Sequence, residues 1–310
     1  MGDPSWPEPA PNWPEAKKSW GFAWELHIYS LGAIWTIATF YYIIFFVQSV
    51  LRRNSDGRKN GAFVMLSFQL TIHALSRCLL LFFNPYGSKS SSQVATVAAI
   101  TAWSLGTAGL TSAFGVLLLI LLDATKLNIA PPKFQNITVL IVITLLNFLF
   151  VLLGDIVVAI NNNTKHILFV CQLVFALWGI AITVGYFVAA TRMRHNLTAT
   201  FQGLGSTSEN TPGQREESKM LRRLIVKCHV SSFLGFCIFG LSLYSMTFGG
   251  SSVLSEKKPV DNWTWWAFQT TFRLLELLMN LLIIVIALGT TRAAKRPVQV
   301  NSVQTEDIPI

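Results

Sequence analysis

The chain has 310 residues, 52% of them hydrophobic and 13% charged, with a formal net charge of +9 and a mean hydropathy of +0.49. Soluble domains carry about 25% charged residues, so the deficit marks a membrane protein whose first partner is the lipid bilayer. The basic residues sit in short clusters between apolar runs and form no basic face with interleaved aromatics, which excludes nucleic acid as an expected partner.

The first 25 residues hold no apolar core of the signal-peptide kind, so insertion is expected to begin with the first spanning segment. Pro4, Pro7, Pro9, Pro11 and Pro14 predict an extended, largely unfolded lead over residues 1–23. Trp20 and Trp24, at its end, fit the headgroup level of a bilayer.

A helix needs about 20 apolar residues to cross the hydrocarbon. Seven segments qualify: 26–51, 61–83, 94–122, 136–160, 167–190, 224–248 and 265–288. The fold class is therefore all-α: a polytopic membrane protein with seven transmembrane helices, comprising the lead, a seven-helix domain over 24–292 and a tail over 293–310. The loops sort by charge. Fifteen lysines and arginines fall on one side and six on the other. Basic loops stay in the cytosol, which predicts the N-terminus outside and the C-terminus cytosolic, in the plasma membrane or a membrane of the secretory pathway.

The third span carries Ala102, Gly106, Ala108, Gly109, Ser112, Ala113 and Gly115, small residues recurring at spacings of three and four. Such faces let helices approach closely in lipid, so this span is expected at the centre of the bundle. The segment 191–223 is polar and basic at both ends, and is expected to be flexible. It reads as a solvated loop or as a docking segment for a cytosolic protein. Of the four Asn-x-Ser/Thr sequons, Asn162 and Asn262 face outward in this topology and are the glycosylation candidates. The terminal Ile308-Pro309-Ile310 has the form of a strand-adding C-terminus.

The chemistry lies inside the spans. Gln69, His73 and Arg77 recur every fourth residue and line one face of the second span. Gln269, Arg273, Glu276 and Asn280 make a matching stripe on the seventh, and Asp155 sits in the fourth. An arginine at mid-membrane costs a few kcal/mol at least and needs a polar partner or a watery cavity. Counting about 1.5 Å per residue from the outer ends puts Arg77 about 9 Å deep, Asp155 about 8, Arg273 about 12 and Glu276 about 16. Two bases and two acids in the outer half predict a charge-neutral cluster between the second, fourth and seventh spans. The set supports three readings: ion pairs that fix register, a pocket for a polar ligand open to the outside, or an ion or proton path.

Enzyme chemistry is not expected. His73 is the one deep histidine, no HExxH or Gly-x-Ser-x-Gly run occurs, and the seventh span has no lysine for a Schiff base. Cys78, Cys171, Cys228 and Cys237 lie in or beside apolar runs and read as buried small residues. No metal spacing and no cofactor motif is found. Seven spans do not halve into a repeat, which argues against a transporter.

Trp24-Glu25-Leu26-His27-Ile28-Tyr29, Ser76-Arg77 and the turn Phe83-Asn84-Pro85-Tyr86-Gly87 together resemble the seven-helix domain of the proline-rich transmembrane proteins, types three and four. The resemblance covers roughly 24–295. Members of that family carry a long proline-rich N-terminal region, here reduced to the first residues, as in a short relative or a partial gene product. It implies the seven-helix fold and assigns no activity. The chain is unlike rhodopsin-type receptors, lacking an outer-loop cysteine pair, an acidic-Arg-aromatic end to the third span and Asn-Pro-x-x-Tyr in the seventh. The expected function is an orphan, receptor-like protein binding a polar ligand from outside, with a structural or scaffold protein and a small-solute or proton-coupled transporter as alternatives.

Overall fold

The computed structural model describes residues 10–51, 57–89, 93–125, 137–161, 164, 166–203, 212–246 and 259–294. The Asn162 sequon, residues 204–211 and the tail beyond 294 lie outside them. The described elements are eight α-helices: α1 (Trp13–Trp20), α2 (Phe22–Leu51), α3 (Gly57–Phe83), α4 (Gln93–Thr125), α5 (Ile137–Ile160), α6 (His166–Gly203), α7 (Pro212–Ser245) and α8 (Asn262–Ala294). Helices α2 to α8 are the seven expected spans, each long and apolar enough to cross a membrane.

Helix α4 is the hub. It packs on α3, α5, α6 and α8. Its apolar window is 72% buried, against 28% for α2 and for α5, which turn most of their surface outward. The small residues explain this placement. A Cβ on Gly106 would lie 3.0 Å from the Arg77 guanidinium, and one on Gly109 would lie 3.0 Å from the Gln69 carbonyl oxygen. Only glycine lets α3 come this close to α4, as small-residue faces do in lipid.

Two expectations are corrected. The lead is not extended throughout: residues 13–20 form α1. Pro14 occupies the first turn, where its missing N–H is no loss. Glu15 at the start and Lys17 and Lys18 at the end complement the helix dipole. The 191–223 segment is also largely helical, because α6 continues to Gly203 and α7 begins at Pro212. Its charged residues extend the two helices past the apolar spans.

Helix α8 starts from a side-chain cap. The Asp261 carboxylate accepts the Thr264 amide at 2.9 Å and the Thr264 hydroxyl at 2.7 Å, satisfying an amide that the first turn leaves open. Those two bonds hold the exposed Asp261 carboxyl below its ordinary value.

Candidate functional site

The α3 and α8 stripes meet. Arg77 donates through Nη2 to Glu276 Oε1 at 2.7 Å and through Nε to Glu276 Oε2 at 3.2 Å, a two-point pair. Its Nη1 donates to the Trp103 carbonyl of α4 at 3.2 Å. Arg273, one turn before Glu276, donates Nη1 to the same Oε2. Arg77 and Arg273 are fully buried and Glu276 is 1% exposed.

Two guanidiniums thus share one carboxylate, and aromatic faces supply the remaining negative field. The Trp103 ring lies 4.4 Å from Arg273 Cζ and 5.0 Å from Arg77 Cζ. Phe272 and Tyr86 stand 5.2 and 5.8 Å from Arg273.

Asp155 does not join them. Its Oδ1 accepts the Ser104 hydroxyl at 2.9 Å, on the side of α4 that faces α5. Its bond is to Ser104 and the two arginines pair with Glu276, so the expected four-charge neutral cluster divides into a triad and a separate carboxyl. His73, Gln69 and Asn280 continue the core away from α1. His73 Nδ1 donates to the Gly106 carbonyl at 2.7 Å, and its ring meets Trp35 edge-on at 5.0 Å. Asn280 donates to the Glu276 carbonyl at 2.7 Å. Gln69 is buried two turns below Arg77, beside Gly109, and neither of its amide atoms has a partner among the described residues. Gln269 is buried one turn on the α1 side of Arg273.

Above the triad lies an aromatic roof that the spans alone did not disclose. Trp13 and Trp20 of α1 pack on Trp265, with ring centroids 5.1 and 5.5 Å apart, and Trp20 stacks on Trp24 at 5.0 Å. Trp265 meets Tyr86 at 5.2 Å, and Tyr86 meets Trp103 at 6.3 Å. Trp20 and Trp24 are therefore buried in protein. Trp20 Nε1 donates to the Asn262 carbonyl at 3.0 Å, and Lys17 Nζ to the Ser88 carbonyl at 2.7 Å, which tie α1 down over the bundle end. Asn262, the second glycosylation candidate, is the half-buried first residue of α8 beneath this roof.

Tyr86 joins roof to triad. It occupies the 3-10 turn Pro85–Gly87 with φ +54°, a left-handed conformation that disfavours a bulky residue by about 1–3 kcal/mol. Its contacts hold it there. Thr270 donates to the Trp266 carbonyl at 2.8 Å and so accepts from His27 Nδ1 at 2.9 Å. His27 Nε2 then accepts the Tyr86 hydroxyl proton at 2.9 Å, and the Arg273 guanidinium stands by the Tyr86 ring. Burial pushes the Tyr86 phenol up to about 12 against the pull of Arg273, so it stays a neutral donor. His27 is a buried link of this chain. Its signal was present in the quoted motifs: His27 stands in Trp24–Tyr29 and Tyr86 in the turn Phe83–Gly87.

Among the described residues, no three His, Cys, Asp or Glu side chains come together in a way that would hold a metal ion. No curated protein matches the chain. A family model described as the proline-rich transmembrane protein 3 domain matches residues 1–303, almost the whole chain. With its seven apolar spanning helices, the chain is an integral membrane protein and belongs to the proline-rich transmembrane protein 3 family.

Proposed function

We propose that this protein is a non-enzymatic membrane scaffold whose intramembrane charges are structural. The observation that carries this reading is the Arg77–Glu276 pair, two-pronged and at most 1% exposed on either side. A ligand site needs a path for the ligand, and here Tyr86, Trp265 and α1 stand over the triad. A buried pair is unforgiving of the wrong alignment, since an unpaired charge inside costs far more than the pair yields. The triad thereby fixes the register of α3 and α8 against α4. The lysine and arginine distribution supports a topology with α1 outside and segment 191–223 in the cytosol, at the plasma membrane or in the secretory pathway, where the basic helix ends are available to a partner protein. The test is Arg77→Ala read twice, as thermal stability in detergent and as delivery to the cell surface. Both fall together on this reading; a stable, normally delivered variant contradicts it.

A receptor-like reading is favoured by one observation. Helix α1 is a separate element, joined to α2 through Gly21 at φ +49°, and it rests on the bundle through ring contacts and few hydrogen bonds. A polar ligand that displaced α1 would reach Gln269 and Arg273 first.

A further inference from the structure

At the end of the bundle far from α1, residues of α6 and α7 line an open cleft of about 680 Å³. We propose that this cleft binds the headgroup and upper acyl chain of an anionic phospholipid.

The cleft is divided by chemistry along its length. Phe187 of α6 and His229 of α7 face each other with ring centroids 5.9 Å apart. Seven residues further along α6 is Arg194, and seven residues back along α7 is Arg222, so antiparallel helices set these two arginines at one level, about 10 Å beyond that ring pair. Both are exposed, and both line the cleft. From the arginine level to just past the ring pair the wall carries exposed valines: Val226 is 60% exposed and Val230 43% exposed. A cationic mouth over an apolar slot matches an amphiphile with a negative head. Guanidiniums bind phosphate through paired N–H donors, and the slot offers a lipid chain protein contacts in place of other lipid. The charge agrees with the site's surroundings. Arg192, Lys219, Arg223 and Lys227 flank the same helix ends, and basic residues at a membrane surface favour anionic lipid by about 1 kcal/mol each. This inference is independent of the scaffold reading, since it involves neither the triad nor the roof.

The test uses the full chain in nanodiscs of dioleoyl phosphatidylcholine, titrated with dioleoyl phosphatidylserine and read as retained lipid by native mass spectrometry. The wild-type chain retains phosphatidylserine over phosphatidylcholine. The pair R194Q/R222Q lowers that retention at least tenfold, while R192Q/R223Q, with the same loss of charge outside the cleft, changes it less than threefold. Val230→Trp, which fills the slot and keeps every charge, also lowers it. Soluble glycerophosphoserine at millimolar concentration does not compete. Equal losses in the two arginine pairs, undiminished retention in Val230→Trp, or full competition by the soluble headgroup each overturns the proposal. Monodisperse elution of every variant and retention in R194K/R222K within a few-fold of wild type separate a lost site from a lost fold.

Discussion

Arg77 and Glu276 are 199 positions apart in the chain and meet through two hydrogen bonds of 2.7 and 3.2 Å inside the bundle. This closes α3 against α8 at the level of Trp103. Glu276→Ala strands both Arg77 and Arg273 in the interior and is expected to destabilise the protein by about 3–5 kcal/mol, whereas Arg77→Ala leaves Glu276 paired with Arg273 and costs less. The double replacement leaves Arg273 alone stranded, where Glu276→Ala strands two arginines, and so falls short of the sum of the single losses. Unfolding of the four forms in detergent measures the coupling; simple additivity counts against it.

Asp155 answers to a different partner. Its bond comes from Ser104, and Asp155→Asn keeps an acceptor there. The expected change is about 1 kcal/mol or less, additive with Glu276→Ala to within about 0.5 kcal/mol. A thermal-unfolding cycle in which Asp155 and Glu276 couple strongly would restore the single four-charge cluster.

Glycines make opposite predictions according to what surrounds them. Gly106→Ala drives a methyl group to 3.0 Å from the Arg77 guanidinium and is expected to cost about 1–3 kcal/mol. Gly240 in α7 has nothing within 4 Å of its Cβ position. Gly240→Ala is therefore neutral or stabilising by up to about 1 kcal/mol. Melting temperatures of the two variants in one detergent check the contrast.

Trp265 is the keystone of the roof, touching Trp13, Trp20, Trp24 and Tyr86. Trp265→Ala is expected to cost about 3–5 kcal/mol and to release α1 first. Hydrogen exchange reads this directly. Amides of residues 16–20 lose protection, while those of α4 keep theirs. Loss spread evenly over the bundle contradicts a separately docked α1.

Much of this architecture is legible in the sequence because lipid imposes a simple rule. Long apolar segments must be helices, and all seven appear as helices. The facing of α3 and α8 follows from helical spacing, since Gln69, His73, Arg77 and Gln269, Arg273, Glu276, Asn280 are two stripes with nowhere else to turn. The small residues of α4 mark it as the hub for the same steric reason. Asp155 defeats this logic, because depth does not reveal which side of a helix a neighbour occupies. Depth also misleads within the triad. Arg77 and Glu276 count to about 9 and about 16 Å from their helix ends, yet the long guanidinium arm and the longer α8 bring them together. The roof is hidden for another reason. Prolines and tryptophans near a chain start look like an extended lead with interfacial anchors, and only the fold-back of α1 brings Trp13 and Trp20 onto Trp265. The grouping of Trp13, Trp20 and Trp24 with Trp263, Trp265 and Trp266 at the same end of two spans is the trace it leaves in the sequence.

The sealed core can be tested at Gln269, buried one turn below Trp265 and within one turn of Arg273. Gln269→Cys is placed in a chain whose Cys78, Cys171, Cys228 and Cys237 have been replaced, and intact cells are exposed to a membrane-impermeant maleimide. A structural core predicts no labelling at 269 in folded surface protein, and labelling once Trp265→Ala is added. Prompt labelling with the roof intact would contradict a sealed core and establish a polar site open to the outside.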